Sequence, residues 1–302
     1  MDKISPTDDT HCTYKMYVVL RYMPHALATR RSADQDWGLF RNHIFPALGD
    51  VPLREITRSD IAGLIDAKKQ SGLMSSTCNR ILAKIKATFS YAVDCELIDS
   101  SQNPSRLVKP FREPPHRDRF LTQAEGQRLL REVASSSSPM LKFIIPFLLL
   151  TGARKGEAIQ AEWSHVNTQT RTWTVPLSKN GRPRFITLSN GALQILDAVK
   201  AFTSDKIGNN RYIFPNIATG KPYRQIYHPW DIVRQRAGLD DVRIHDLRHS
   251  FASALINQGM TLYDVKELLG HSNITTTQRY AHLSKDRLVE AASKAELYIN
   301  TA

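Results

Sequence analysis

Cysteine is scarce in this chain of 302 residues, which contains only three, Cys12, Cys78 and Cys95. Their number is odd and no CxxC pair occurs, so the sequence encodes neither a disulfide framework nor a zinc ribbon. Long apolar runs are lacking too: the longest, Phe143–Leu150, is broken by Pro146, whereas about 18 apolar residues are needed to span a bilayer. The polar segment 1–10 lacks the layout of a secretory signal. These absences argue against a disulfide-stapled or membrane-spanning protein and favour a reducing cytosol.

Positive charge, by contrast, is in excess. The sequence has 41 lysine and arginine residues against 29 aspartate and glutamate residues, which gives a formal net charge of +12. Most of this excess lies after residue 115. A basic protein of this kind favours a polyanionic partner, because each phosphate that a cation neutralises releases condensed counterions. Nucleic acid is therefore the expected partner, and a merely solvated basic surface is the alternative.

The composition divides the chain into a short tail (1–13), a helical domain (14–103), a basic linker rich in proline (104–119) and a second domain (120–302). The helices predicted in the first domain are Tyr14–Ala28, Gln35–Phe45, Ser59–Gln70 with Ser59 or Asp60 as its cap, and Ser75–Leu97. In the last of these, Arg80, Lys84 and Lys86 lie largely off the apolar stripe, which makes them candidates for contacting nucleic acid.

The second domain is expected to combine helices with one hairpin. Thr122 and Glu125 have the spacing of a capping box, which marks a helix start. Apolar residues then alternate on both sides of Asn180-Gly181, and this dipeptide is the strongest short signal for a hairpin. Helical spacing returns over Tyr223–Ala237, His245–Asn257, Thr261–Leu269 and Ser284–Tyr298. The predicted fold is therefore an α-helical N-terminal domain followed by a mainly helical α+β domain with a small antiparallel sheet.

Several segments of the second domain carry polar groups where the local structure favours apolar or neutral ones. Arg154 follows a predicted buried helix that ends at Gly152, and Lys179 lies beside the hairpin turn. Further along, His271 follows a helix that ends on glycine, and Tyr280 comes shortly after it in a polar segment. Taken singly, each of these residues is more often structural than functional. Their combination is what predicts chemistry.

The helix that begins near His245 allows two interpretations. His245 and Arg248 are spaced i, i+3, so they share a helix face and could grip one phosphate. His245 and His249, at i, i+4, also have the spacing of a metalloprotease zinc helix. Asp246 replaces the glutamate that would act as base there, and Arg248 would place a fixed positive charge beside the metal, so no metal site is predicted. His249 is interpreted as a buried partner that supports the site, although core packing explains it equally well.

The second domain resembles the tyrosine recombinase family, the phage integrase type of site-specific DNA recombinase. The resemblance lies in a set of residues in a fixed order: Arg154, Lys179, His245 and Arg248 in a His-x-x-Arg motif, His271 after Leu-Gly, and Tyr280. The likeness extends from about Arg117 to Tyr298. The region from about Tyr14 to Pro115 is similar to that family's helical core-binding domain, including the segment 41–49. By this resemblance, the first domain is a DNA-binding core-binding domain and the second is the catalytic domain.

The resemblance implies a role for each residue: two phosphate-clamping arginines, Arg154 and Arg248; a lysine that protonates the leaving oxygen, Lys179; two histidines, His245 and His271; a supporting acid, Glu157; and a nucleophile, Tyr280. A phenol titrates near pH 10, so only about one in a thousand is ionised at pH 7, a deficit of roughly 4 kcal/mol. Cationic side chains around an anionic phosphate could supply that stabilisation.

Members of this family cleave and rejoin DNA strands through a 3′-phosphotyrosyl intermediate, without metal, ATP or any other cofactor. The implied partners are double-stranded DNA, further copies of the chain in a homotetramer on two duplexes, and accessory DNA-bending proteins. The segment Leu283–Ala302 is the candidate for docking on a neighbouring copy, and packing against its own chain is the alternative. The implied location is the bacterial cytoplasm, in association with the nucleoid.

Two other functions are compatible with the sequence. A type IB topoisomerase shares this chemistry but acts as a single copy, so relaxation of supercoiled plasmid without a recombination site would favour it. A DNA-binding regulator that no longer cleaves is the other, and the complete set of catalytic residues argues against it. Only about 13 residues precede the first predicted helix, so the chain resembles a bipartite or truncated integrase rather than one with a separate arm-binding domain.

Overall fold

The computed structural model describes residues 12–30, 32–114, 119–176, 183–270 and 273–281. The chain divides into two compact units, Met1–His116 and Arg117–Ala302. The first unit has one hydrophobic core, and the second has a main core and a smaller cluster that includes Tyr280. Among the residues described, no helix combines the length and apolar character that crossing a membrane requires. The predicted helix Ser284–Tyr298 and the candidate docking segment Leu283–Ala302 lie outside the described residues.

The described part of the first unit is built from helices: α1 (Tyr14–Tyr17), α2 (Met23–Thr29), α3 (Trp37–Leu39), α4 (Phe45–Leu48), α5 (Arg58–Gln70) and α6 (Ser75–Asp94). Two π-helical turns connect them, since Val18–Tyr22 joins α1 to α2 and Phe40–Ile44 joins α3 to α4. Pro24 does not interrupt the first helical stretch, because it lies in the first turn of α2, where a missing N–H costs little.

Helix α6 lies at the centre of the first core because its apolar positions recur at helical spacing. Ile81 and Phe89 on this helix are fully buried. Two buried tyrosines bind α6 through hydrogen bonds: Tyr14 Oη lies 2.7 Å from Thr88 Oγ1, and Tyr17 Oη donates to the Thr88 carbonyl at 2.8 Å. Because buried polar groups need partners, these bonds fix the first helix against α6.

The cap of α5 differs from the prediction. Thr57, rather than Ser59 or Asp60, is the N-cap, and its Oγ1 accepts a hydrogen bond from the Asp60 backbone N–H at 3.2 Å. The Asp60 carboxylate accepts in return from the Thr57 backbone N–H at 2.8 Å. The pair forms a capping box, in which the acidic residue belongs at the third helical position and not at the cap. The helix therefore begins earlier than predicted.

The beginning of the predicted linker packs on the first unit. Val108 is buried in the first core. The Phe111 backbone N–H donates to Asn79 Oδ1 at 2.8 Å, and Asn79 Nδ2 donates to the Phe111 carbonyl at 2.9 Å. A side-chain amide that binds both backbone groups of one residue holds this stretch as firmly as a strand pairing would. The segment therefore follows the surface of the first unit as far as Phe111.

The second unit contains eight described helices and three strands: α7 (Gln123–Ala134), α8 (Leu141–Thr151), α9 (Lys155–Ile159), β1 (Val166–Asn167), β2 (Thr172–Val175), β3 (Arg184–Thr187), α10 (Asn190–Ile207), α11 (Tyr227–Arg236), α12 (Asp246–Asn257), α13 (Leu262–Leu269) and α14 (Thr275–Gln278). The strands form an antiparallel sheet in the order β1-β2-β3. The predicted fold class, helical in the first part and mainly helical with a small antiparallel sheet in the second, is confirmed.

The hairpin of β2 and β3 has the register that the apolar alternation requires. Trp173 lies opposite Ile186, and both side chains are buried in the main core of the second unit. On β3, Arg184 and Ile186 face inward, whereas Phe185 is 65% exposed. The Asn180-Gly181 turn and Lys179 lie outside the described residues. The sheet adds one strand, β1, to the two that were predicted.

Candidate active site

Arg154 lies at the start of a helix whose first turn holds its side chain. It occupies the N-cap of α9, where Glu157 accepts from the Arg154 backbone N–H at 2.9 Å and from its Nη1 at 2.8 Å. The Arg154 side chain is 29% exposed. Burial alone raises the pKa of Glu157, but hydrogen bonds from Arg184 and Arg154 outweigh it, so the pKa lies below its ordinary value. Glu157 is therefore a carboxylate at neutral pH that orients a partly exposed guanidinium.

Arg184 on β3 is a residue of this site that no sequence motif indicated. Its Nε and Nη2 donate to the Glu157 carboxylate at 3.2 and 2.6 Å, and its Nη1 donates to the Leu269 carbonyl at 2.6 Å. A planar guanidinium can make all three bonds at once, which a lysine ammonium cannot reproduce. The signal that could have revealed it is its position on the same face of the strand as buried Ile186, where a charged residue is rare unless it is paired.

Arg248 is buried near the start of α12, where two backbone carbonyls hold it. Its Nη1 donates to the Gly152 carbonyl at 2.6 Å and its Nη2 to the Leu269 carbonyl at 2.7 Å. The Leu269 carbonyl thus joins Arg184 to Arg248. Burial lowers the pKa of Arg248 to about 9, and the positive charges of Arg154 and Arg184 add to the effect. Arg248 therefore still carries its charge at pH 7, in a place where an anion would relieve the repulsion.

Two glycine turns make these contacts possible. Gly152 ends α8 with φ of 60° and Gly270 ends α13 with φ of 63°, both in the left-handed region. A Cβ at Gly152 would lie 2.4 Å from Phe251 Cδ1, and one at Gly270 would lie 3.0 Å from Arg184 Nη1. A side chain at either position would collide with its neighbours, so glycine is needed to keep the two turns that present the Gly152 and Leu269 carbonyls to the arginines.

The histidines and the tyrosine form the other half of the site. His245 precedes α12 and is exposed, and its ring lies edge-on to that of His249 with centroids 5.0 Å apart. His249 Nδ1 lies 2.5 Å from Oη of Tyr280, whose side chain is only 4% exposed. Although the residue is exposed as a whole, loss of water around its ring, followed by the charge of Arg248, lowers the pKa of His245. The lowered pKa favours the neutral ring, which is the form that can accept a proton.

The contacts bring six of the residues named from the sequence into one cluster: Arg154, Glu157, His245, Arg248, His249 and Tyr280. Helix α12 joins its two halves, because the arginine and the second histidine are consecutive there. Lys179 and His271 lie outside the described residues, so their positions relative to the cluster are not described. The arginines of this cluster can donate hydrogen bonds to an anion with oxygen atoms. The phenol and an imidazole lie next to them.

Replacing Arg184 with glutamine is expected to lower the free energy of unfolding by about 3 kcal/mol, because it removes one partner from a buried ion pair. The Arg184 side chain is 7% exposed. Arg211→Gln is the matched control: it also breaks an arginine–glutamate pair, with Glu162, but its side chain is 71% exposed, so we expect a much smaller loss of unfolding free energy. Chemical denaturation measures both. Equal losses in the two variants would contradict a bracing role for Arg184.

Comparison with known proteins matches both units of the chain to the same family of proteins. The sequence profile of the Phage integrase family matches residues 119–287, and that of the Phage integrase central domain matches residues 21–109. The tyrosine recombinase XerC of Staphylococcus saprophyticus subsp. saprophyticus is 27% identical over 289 residues, which cover 91% of this chain and 92% of that protein. The similarity therefore includes both units.

Solved structures share the fold. The Tn1549 transposon integrase, in complex with circular intermediate DNA, gives a TM-score of 0.73 at 19% identity over 89% of this chain and 94% of that chain. A lambda integrase tetramer bound to a Holliday junction gives a TM-score of 0.70 at 18% identity over 92% of this chain and 81% of that chain. The first profile alone spans more than half of the sequence. The chain therefore belongs to the phage integrase family, that is, to the tyrosine-type site-specific recombinases.

Proposed function

We propose that the chain cleaves and rejoins strands of double-stranded DNA through a 3′-phosphotyrosyl intermediate. The observation that supports this proposal is the cluster itself. Buried Tyr280 contacts His249, which follows Arg248 directly and touches the ring of His245. A chain of hydrogen bonds through Glu157, Arg184 and the Leu269 carbonyl runs from Arg154 to Arg248. A phosphodiester is the anion that suits such a cluster, since an arginine fork binds two phosphate oxygens at once.

In the proposed step, Tyr280 Oη attacks the scissile phosphorus. The Oη–P bond forms while the bond from phosphorus to the 5′ oxygen breaks. The phenolic proton passes to His245, whose lowered pKa keeps it neutral and receptive at pH 7. Lys179 supplies the proton that the departing 5′ oxygen needs. The strand then ends in a 3′ phosphate bound to the enzyme, and the other end is a free 5′ hydroxyl.

The arginines are proposed to hold the two non-bridging oxygens of the phosphate. Arg154 and Arg248 would carry most of this stabilisation, with His271 as a further donor, and Glu157 would orient Arg154. The phosphotyrosyl bond preserves the energy of the diester, so the 5′ hydroxyl of another strand can reverse the step. The proposed reaction accordingly uses no ATP, no metal ion and no other cofactor.

The first unit is proposed to be the core-binding domain that holds the duplex, with 14–103 as its extent and 104–119 as the linker to the catalytic domain, 120–302. Arg80 is exposed on α6 and is the simplest candidate for a phosphate contact, and Lys86 lies on the same helix. Lys84 donates to Asp36 at 2.8 Å within the unit. Lys84 would therefore share its charge between this carboxylate and any phosphate that it contacts.

The working assembly is proposed to be a homotetramer on two duplexes, by likeness to the lambda integrase tetramer on a Holliday junction. The segment Leu283–Ala302 would dock on the neighbouring copy. Accessory DNA-bending proteins would set the direction of the reaction, and chromosomal DNA as substrate would place the protein at the nucleoid in the bacterial cytoplasm.

A nicked duplex tests the proposed function. The DNA that flanks the gene supplies candidate inverted half-sites. The test duplex carries a nick just 3′ of the scissile phosphate. Cleavage then releases a short fragment that bears the 5′ hydroxyl, so the strand cannot be rejoined. The full chain, incubated with this duplex in EDTA and without ATP, is expected to form a protein–DNA adduct that survives SDS. Cleaved strands without any adduct would contradict the proposal, because a hydrolase transfers the phosphate to water.

A further inference from the structure

Within the part of the chain that the structure describes, the tyrosine forms a hydrogen bond with a histidine of α12. His249 is the residue directly after Arg248, it is 7% exposed, and its Nδ1 lies 2.5 Å from Tyr280 Oη. The two rings are 5.8 Å apart between centroids. His245, to which the resemblance assigns the role of base, contacts the ring of His249 edge-on at 5.0 Å. Among the described residues, therefore, the phenol has a direct contact with a histidine to which the sequence motifs assign no role in proton transfer.

The surroundings of His249 determine which of its ring nitrogens carries the proton. Burial lowers the pKa of His249 to about 4, and the charges of Arg279 and His245 act in the same direction. The ring is therefore neutral at physiological pH and has a single N–H. Arg279 Nη1 lies 3.5 Å from His249 Nε2, and a guanidinium can only donate, so the lone pair of the ring belongs on Nε2. The proton then lies on Nδ1, which faces the tyrosine.

We propose, on the basis of the function proposed above, that His249 is a positioning residue which donates a hydrogen bond from Nδ1 to Tyr280 Oη and so favours the phenolate. A donor to the charged form of a group stabilises that form. With its proton on Nδ1, His249 cannot accept the phenolic proton. Tyr280 therefore loses that proton to another group, a role that the proposed function gives to His245.

The charges around His249 and Tyr280 also favour the phenolate form of the tyrosine. Among the described residues, the charged and titratable groups that act on His249 are Arg279 from the segment of the tyrosine, Asp246 from α12, and His245 and Arg243 from the turn before α12. Asp246, which is fully buried, accepts from the Arg243 backbone N–H at 2.8 Å and from its Nη2 at 3.0 Å, so its charge is largely compensated. The charge of Arg248 also interacts with Tyr280. The remaining field is positive and supports a phenolate.

Two isosteric variants test the direction of the hydrogen bond. In His249→Asn an amide N–H can take the place of Nδ1–H, whereas His249→Asp offers only acceptors and a negative charge. Cleavage of the nicked duplex is measured from pH 6 to pH 10. We expect the asparagine variant to keep most of the wild-type rate. The aspartate variant should lose about 10- to 100-fold at neutral pH and recover towards alkaline pH, because its phenolate forms at higher pH. His165→Phe controls for loss of a histidine elsewhere in the unit.

An aspartate variant as active as the asparagine variant, with the wild-type pH profile, would overturn the proposal, because a mere space filler would give that result. An aspartate variant more active than the asparagine variant would also overturn it, because a base would give that result. Nitrogen-15 NMR of histidine-labelled wild-type protein gives a second readout that requires no variant to fold at full stability. The spectrum is expected to show the His249 ring protonated on Nδ1, and protonation on Nε2 would overturn the inference. If the wild-type chain forms no adduct, the proposed function fails, whereas a wild-type adduct together with an Nε2–H tautomer refutes only the role of His249.

Discussion

A Tyr280→Phe variant is expected to bind its DNA site with unchanged affinity and to form no covalent adduct. Phenylalanine keeps the ring that packs with Ala252 and Leu269 in the small cluster of the second unit, but it lacks the oxygen that attacks phosphorus. Loss of a nucleophile lowers the rate of the chemical step by more than about 10⁴-fold. The rate of adduct formation on the nicked duplex measures this loss, and a gel-shift assay measures binding.

The matched control for this variant is Tyr263→Phe. It removes the same atom from a tyrosine on α13 that is 65% exposed, so we expect the adduct to form at the wild-type rate. If the adduct persisted in Tyr280→Phe at a rate near that of the control, another residue of the chain would have to be the nucleophile.

Arg248→Ala is expected to have the second largest effect, and it should act on both activity and stability. Removal of one preorganised donor to the transition state lowers the cleavage rate by about 10²- to 10³-fold. The Gly152 carbonyl also loses its donor, which costs about 1–3 kcal/mol of unfolding free energy, whereas the Leu269 carbonyl keeps its hydrogen bond from Arg184. Arg248→Lys restores the charge without the fork, so we expect it to recover part of the stability and little of the rate.

Urea denaturation and single-turnover cleavage separate the two effects of Arg248. Arg131→Ala on the exposed side of α7 is the control for stability, and its unfolding free energy should change by no more than about 0.5 kcal/mol. A fully active Arg248→Lys variant would show that a point charge is sufficient. It would contradict the proposal that Arg248 must bind two phosphate oxygens at once.

The fold follows from the sequence where a local signal has one structural solution. The capping box of Thr122 and Glu125 starts α7 as predicted, because both hydrogen bonds of the box require a helical first turn. Alternating apolar residues on both sides of Asn180-Gly181 predict a hairpin, and the observed pairing of Trp173 with Ile186 buries one face of it. The same period of two could not predict β1, which has only two residues.

Other elements escaped prediction although their signals are present. Helix α10 was not predicted, yet Ser189 accepts from the Ala192 backbone N–H as its N-cap, and Leu196 and Val199 continue its buried face. The motifs name the site residues in order along the chain, but they do not encode contacts between distant segments. The bond from Arg184 to Leu269, and the choice of His249 over His245 as the partner of the tyrosine, depend on how α12, α13 and β3 pack, which no local pattern specifies.

Mass spectrometry of the adduct tests most directly whether the phenol in this cluster carries the reaction. After digestion with nuclease and protease, we predict that a single peptide retains a nucleotide joined through its 3′ phosphate, and that fragmentation places the modification on Tyr280. A nucleotide found on any other side chain would contradict the account.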